Sequence, residues 1–186
     1  MNETQPTPAP TPTNLQQPER DPARGRSTGP DRGERPGPPP ARAAGQRKRD
    51  TLARLTDDTD AWVATASAAG RPTLVPLWFL WDRDTLLMAT RRTNPTARNV
   101  TPAGTMVVTL GHTRDVVLIE GPARVVEGGA LEADSGDAFA ARFDGWDPRT
   151  TPSWVFLRCA PQAVKAWRGV NEQAGRELMR DGRWLV

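Results

Sequence analysis

From residue 60 onward the chain is a succession of short apolar or alternating stretches broken by Gly, Pro, Asp and Asn, a pattern that predicts β-strands rather than long helices. Strands are expected over 61–66, 74–81 and 85–90, the first two joined by Ala69-Gly70-Arg71-Pro72 and the next two by Asp82-Arg83-Asp84. Three successive strands form a meander. Further strands are expected over 105–110, 116–126, 153–159 and 163–168. Gly121-Pro122 interrupts the longest of them and predicts a bend or bulge at a barrel corner.

Helical spacing appears in three places. A short entry helix is expected from Asp50 to Thr56. A second begins at Asn94, a good N-cap, with Pro95 at the first helical position, and ends near Pro102-Ala103-Gly104. A third covers 130–143, with Leu131, Ala138, Phe139 and Phe143 on its buried side, and stops at Gly145-Trp146-Asp147-Pro148. Six or seven strands with short helices give a mainly β (α+β) domain, a small antiparallel barrel with helical insertions.

The first fifty residues are of another kind. They hold 11 of the 19 prolines and only two large aliphatic side chains, Met1 and Leu15. Such a stretch buries too little apolar area to offset the entropy of ordering, so residues 1–50 are expected to form a disordered Pro/Arg-rich arm and 51–186 the folded domain. The arm carries nine basic and six acidic residues, whereas the domain carries sixteen of each. The net charge of +3 therefore belongs to the arm, and the domain offers no basic excess for a nucleic acid.

The longest apolar run, around Val75 to Trp81, is far shorter than the roughly 20 residues of a membrane helix, and the polar N-terminus lacks a signal-peptide pattern. A soluble cytoplasmic protein without a membrane partner is the expectation. A single cysteine, Cys159, excludes an internal disulfide, and a single histidine, His112, makes a Cys/His metal site or a Ser-His-Asp triad hard to build, with a general base as its alternative role. His112 lies in a turn-like stretch and reads as a solvated loop residue. There is no tyrosine to act as an acid and no Gly-x-Gly-x-x-Gly or P-loop pattern.

Two features suggest a ligand. A strand-to-helix junction with arginines before and inside it is a candidate anion site, with Arg92, Asn94, Thr96 and Arg98 placed around a phosphate; the alternative is a solvated turn. Pro76 interrupts a β-run and belongs at an edge, which would free backbone groups around Val75 and Leu77 for a planar ligand. On that reading Pro76, Leu77 and Trp78 line a ring pocket; on the other, the proline is merely tolerated. Seven tryptophans are a high density, and most are expected to be structural.

The ordered set Trp62-Val-Ala-Thr, Gly70-Arg-Pro, Val75-Pro-Leu-Trp-Phe-Leu-Trp, Leu87-Met-Ala-Thr90, Ala97-Arg-Asn-Val100 and Val117-Leu-Ile-Glu-Gly121-Pro-Ala-Arg-Val125 resembles the pyridoxamine 5′-phosphate oxidase-like superfamily. Within it the actinobacterial flavin- or deazaflavin-dependent oxidoreductases look most similar. The resemblance spans about residues 52–168, and the closing stretch from Glu177 to Leu185 also looks like the end of such proteins.

It implies an FMN-binding type of split β-barrel that dimerises and holds two cofactors, FMN or deazaflavin coenzyme F-420, between subunits. The strand from Val75 to Phe79 would run beside the ring. Thr90, Arg92, Asn94, Thr96 and Arg98 would surround phosphate, Val116 would lie near the ring, and Trp167 would approach from the partner subunit. Many such proteins carry lysine where this chain has Thr96, a loss of one charge-assisted contact.

The expected function is hydride transfer between the cofactor and an unidentified small molecule, with no catalytic side chain identified because the cofactor carries the chemistry. The alternatives are a catalytically idle binder of a cofactor, haem or another tetrapyrrole, and a barrel that serves as scaffold while the arm recruits an acidic partner.

Overall fold

The computed structural model describes residues 39–101 and 104–186. The expectation for residues 1–38 lies outside them. Nine strands form one sheet: β1 (Asp60–Ala66), β2 (Pro72–Asp82), β3 (Thr85–Arg91), β4 (Gly104–His112), β5 (Asp115–Val126), β6 (Trp154–Cys159), β7 (Ala163–Trp167), β8 (Glu177–Arg180) and β9 (Arg183–Trp184). Three α-helices accompany them: α1 (Ala44–Asp57), α2 (Pro95–Val100) and α3 (Ala133–Arg142).

All pairings are antiparallel, and β1, β2, β3, β6, β5 and β4 close into a six-stranded barrel through the β4–β1 and β4–β5 ladders. Strand β5 is where the barrel splits. Along one edge it pairs with β7 from Val116 to Glu120 and then with β6 from Ala123 to Val126. Gly121-Pro122 is the hand-over point predicted from the sequence. Ala160 N–H donates to the Pro122 carbonyl at 3.0 Å, and a Cβ at position 121 would sit 2.0 Å from the Ala160 carbonyl oxygen, so only glycine admits the crossing strand.

The barrel interior is filled by buried apolar side chains such as Val63, Phe79, Met88, Met106, Ile119 and Leu157. A second, smaller core lies on the outer side of β3 and β6, where Leu87 and Phe156 meet Phe139 and Phe143 from α3. Each fully buried side chain of this size contributes about 2 kcal/mol. Ala138, expected to face this core, is exposed; the buried side of α3 instead includes Ser135, Gly136 and Phe139.

Helix α1 starts at Ala44, six residues before the expected entry, so the folded part reaches into the stretch read as arm. The physical reason is its buried face, which consists of Arg47, Thr51 and Leu55. A mostly polar face gives no apolar periodicity to read. The Arg47 guanidinium, 6 % exposed, is accommodated by the carbonyls of Ala166 and Glu172 at 3.5 and 3.3 Å. Next to it, Arg42, Arg54 and Arg168 interleave with Asp50, Asp115 and Glu172, which fastens the start of the domain to the β7–β8 connection.

Candidate functional site

Strand β2 is long but only half paired on one side. Its residues Pro72–Trp78 pair with β1, whereas β3 joins it only from Phe79 to Asp82. Phe79 N–H donates to the Thr59 carbonyl at 2.8 Å and Ser67 N–H to the Arg71 carbonyl at 2.9 Å, which sets the alternation between them. Val75 and Leu77 therefore turn their backbone groups toward β1, contrary to the sequence expectation, and Leu74, Pro76 and Trp78 turn theirs to the free edge. The missing N–H of Pro76 falls on that edge and removes no ladder bond.

The free edge opens onto a cleft of about 740 Å³. It is lined by Pro76, Leu77 and Trp78 from β2, by Ala89, Thr90 and Asn94 at the end toward α2, and by Phe143, Trp146 and Trp154. Asp60 and Asp144 complete the lining, and no arginine or lysine belongs to it. The Trp78 and Phe143 rings are stacked, and Trp146 meets both Trp78 and Trp154 edge-on. Three of the seven tryptophans line this cleft, while Trp81 and Trp184 pack against the main core and Trp146 and Trp154 against the smaller one, so most are structural as expected and two serve both roles.

Asn94 is the N-cap residue of α2, yet its side chain makes no capping bond. Its amide donates instead to Thr90 Oγ1 at 2.9 Å, which ties the end of β3 to the start of the helix. Thr90 and Thr96 are each only 2 % exposed, so Thr96, the position expected to face phosphate in place of lysine, presents no surface to a ligand.

Of the remaining expected site residues, Arg92 and Arg98 both line a pocket of about 560 Å³ beside Val125, Glu127 and Val155, and the others lie apart from it in the single chain. Arg92 is held by Glu127, with Nη2 at 2.6 Å from Oε2, and this contact keeps the Glu127 carboxyl below its usual range. Arg98 also lines a second cleft of about 970 Å³ together with Arg71, Thr73, Pro95 and Asn99. That cleft has no carboxylate in its lining. Asn99 is fixed there by donating to Thr65 and Thr73 hydroxyls at 3.0 and 3.3 Å. Val75 is half-buried opposite Val63, outside both linings.

Val116 and Trp167 face each other across the β5–β7 ladder, half-buried and away from both clefts. The Arg176 guanidinium lies 5.5 Å from the Trp167 ring.

Asp60, Arg71, Phe143, Asp144, Trp146 and Trp154 were not identified as site residues from the sequence. Phe143 and Trp146 carried only a core and a helix-stop signal there, and nothing local linked Asp60 to them. His112 is exposed, accepts from Arg114 N–H at 3.3 Å, and lines neither cleft. Burial pushes the Cys159 thiol up to about 12, which leaves it inert as a nucleophile. Among the described residues there is no metal-ligating cluster and no helix long and apolar enough to cross a membrane.

No curated protein matches this sequence. Among solved structures, a Listeria innocua protein classed by name with pyridoxamine 5′-phosphate oxidase superposes with a TM-score of 0.53 at 18% identity, covering 67% of this chain and 98% of that one. The conserved protein Rv2991 of Mycobacterium tuberculosis gives 0.51 at 17% identity, covering 65% and 84%. HutZ, the haem storage protein of Vibrio cholerae, gives 0.50 at 16% identity, covering 74% and 99%. These likenesses are of fold. A family model described as pyridoxamine 5′-phosphate oxidase matches residues 50–168, most of the described barrel, and the chain therefore belongs to the pyridoxamine 5′-phosphate oxidase family.

Proposed function

We propose that this protein is a flavin- or deazaflavin-dependent oxidoreductase whose cofactor ring lies along the free edge of β2. The observation that carries the reading is the edge of β2 left free at Pro76 before pairing with β3 begins, which opens onto an aromatic-lined cleft and suits a flat ring with hydrogen-bonding edges. The acidic end does not suit the same cleft, whose only charged lining residues are Asp60 and Asp144. It suits the second cleft, where neither Arg71 nor Arg98 has a carboxylate partner among the described residues.

From Thr73 to Pro76 the strand runs about 10 Å, so one elongated molecule can reach both clefts. When bound, such a ring supplies the hydride chemistry. The chain's own residues hold and orient it, and the Trp78, Trp146 and Trp154 walls exclude water.

The reading includes a homodimer. Trp62, Leu74 and Trp78 are 51 %, 62 % and 48 % exposed on the outer face of β1 and β2, with Pro76 opposite Trp62. An apolar face of this kind calls for a cover, and a second copy would bring Val116 and Trp167 of the partner subunit to the cofactor.

Absorbance and mass spectrometry of the small molecule released from purified protein test the reading. A flavin or deazaflavin that is bleached by reductant and recovers with an acceptor supports it. A Soret band from a bound tetrapyrrole, or protein that takes up neither cofactor, refutes it.

A further inference from the structure

The first cleft also carries information about the molecule that meets the cofactor there. Its charged lining residues are both acidic, and both flank the same aromatic pair. Asp60 is the cross-strand partner of Trp78, and Asp144 directly follows Phe143, whose ring is stacked on Trp78. Neither carboxylate has an ion-pair partner among the described residues; Asp60 accepts only from the Thr59 hydroxyl at 2.8 Å. None of the neighbouring arginines pairs with either carboxylate, although one of them packs on a lining ring of the cleft. Arg142 donates to the carbonyls of Asp57 and Asp58 at 2.7 and 3.0 Å, Arg54 pairs with Asp115 and Asp58, and Arg91 packs on the Trp154 ring.

Asp144 and Gly145 both adopt positive φ, 52° and 82°, in the turn after α3, and Gly145 N–H closes on the Ala140 carbonyl at 2.8 Å. The carboxylate is thus carried on a turn fixed by backbone bonds. Electron-rich ring faces and unpaired carboxylates act in the same direction: both attract a cation and disfavour an anion.

We infer that the substrate accepted in this cleft is an organic cation, with an amine or quaternary ammonium head seated against Trp78 and Trp146 and countered by Asp60 and Asp144. This rests on the reading that a substrate meets the cofactor in the first cleft. It names the charge class that the geometry selects.

The test compares choline with its uncharged isostere 3,3-dimethyl-1-butanol on the full-length protein, read by tryptophan fluorescence and calorimetry at low and high salt. The expected result is at least a tenfold preference for choline that shrinks with salt and disappears in the Asp60→Asn/Asp144→Asn double variant. Trp146→Leu should weaken choline binding while its thermal midpoint serves as the check on folding. The Asp134→Asn variant, altered at a carboxylate outside the cleft, should keep the preference.

Equal binding of the two probes, no choline binding, or a preference untouched by the double variant overturns the inference. Cofactor identity is read separately from the released fraction. A flavin-containing protein without charge preference therefore defeats this inference alone, and a cofactor-free protein that prefers choline defeats only the oxidoreductase reading.

Discussion

The rings of Trp78 and Phe143 lie 5.1 Å apart and 3° from parallel, a stack that joins the free stretch of β2 to the C-terminal end of α3. One partner comes from the barrel and the other from the inserted helix, so the cleft keeps its shape only while α3 is docked. Replacing Trp78 by Leu removes the stack, worth about 1 kcal/mol, and should lower both the thermal midpoint and cofactor occupancy. Differential scanning calorimetry and the absorbance ratio of purified protein check this.

Phe139 supports that arrangement from behind, since it is fully buried and packs against Phe143, Phe156 and Trp146. Phe139→Ala should cost about 3–5 kcal/mol by opening a cavity. Urea unfolding would show it, and an effect under 1 kcal/mol would mean that the small outer core collapses around the gap.

Arg71 and Arg98 should act together on the acidic end of the cofactor. Each Arg→Ala change is expected to weaken retention about tenfold, the worth of one partly wet charge-assisted contact. Arg83→Ala, which removes surface pairs with Asp134 and Glu132, should retain cofactor normally. Equilibrium dialysis of the three variants decides, and equal retention by all of them would count against the second cleft.

Gly121→Ala should be among the most damaging single-methyl additions in the molecule. The added Cβ would meet the Ala160 carbonyl oxygen at 2.0 Å, and that backbone is fixed by the neighbouring Ala160-to-Pro122 and Gln162-to-Glu120 bonds. A loss of about 3 kcal/mol is expected. Gly70→Ala provides the contrast, because its position has open space although its φ of 75° disfavours alanine.

The Arg42 side chain donates to both Glu172 oxygens, at 2.9 and 2.8 Å, and holds that carboxyl at about 2, well below its usual 4.5. The folded state therefore binds this proton less readily than the unfolded chain. The pair contributes its full stability above about pH 4.5 and loses it as pH falls toward 2, a difference on the order of 3 kcal/mol. Acid unfolding of wild type and Glu172→Gln, followed by circular dichroism, should show a stability gap at neutral pH that narrows across that interval. A gap independent of pH would assign the contact a purely structural role.

The strands were legible because the alternation of Ala61 to Ala66 and the bulky run through Trp81 encode a two-residue period directly, and Asn94-Pro95 marks a helix start by its backbone preferences alone. Gly121-Pro122 announced a break in β5 for the same local reason. What local signals could not carry was the direction of groups set by partners distant in sequence. Asn94 stands at the expected cap, yet bonds to Thr90, and Thr96 was placed beside phosphate, yet its side chain is enclosed.

Arg92 and Arg98 line a common pocket beside Glu127, but Arg92 is paired with Glu127 there while Arg98 also borders the second cleft with Arg71. The first cleft is assembled from β1, β2, β3, the start of α2, the end of α3 and the beginning of β6. The sequence by itself determined the first seven strands and where the chain must bend, since those follow from side-chain period and backbone freedom, but not the short β8 and β9, whose four and two residues are too few to show a period. Only the tertiary structure decided which edge of β2 stays unpaired and which aromatic and acidic side chains gather in front of it. That depends on barrel closure, which brings together residues from Asp60 to Trp154 that no local pattern connects.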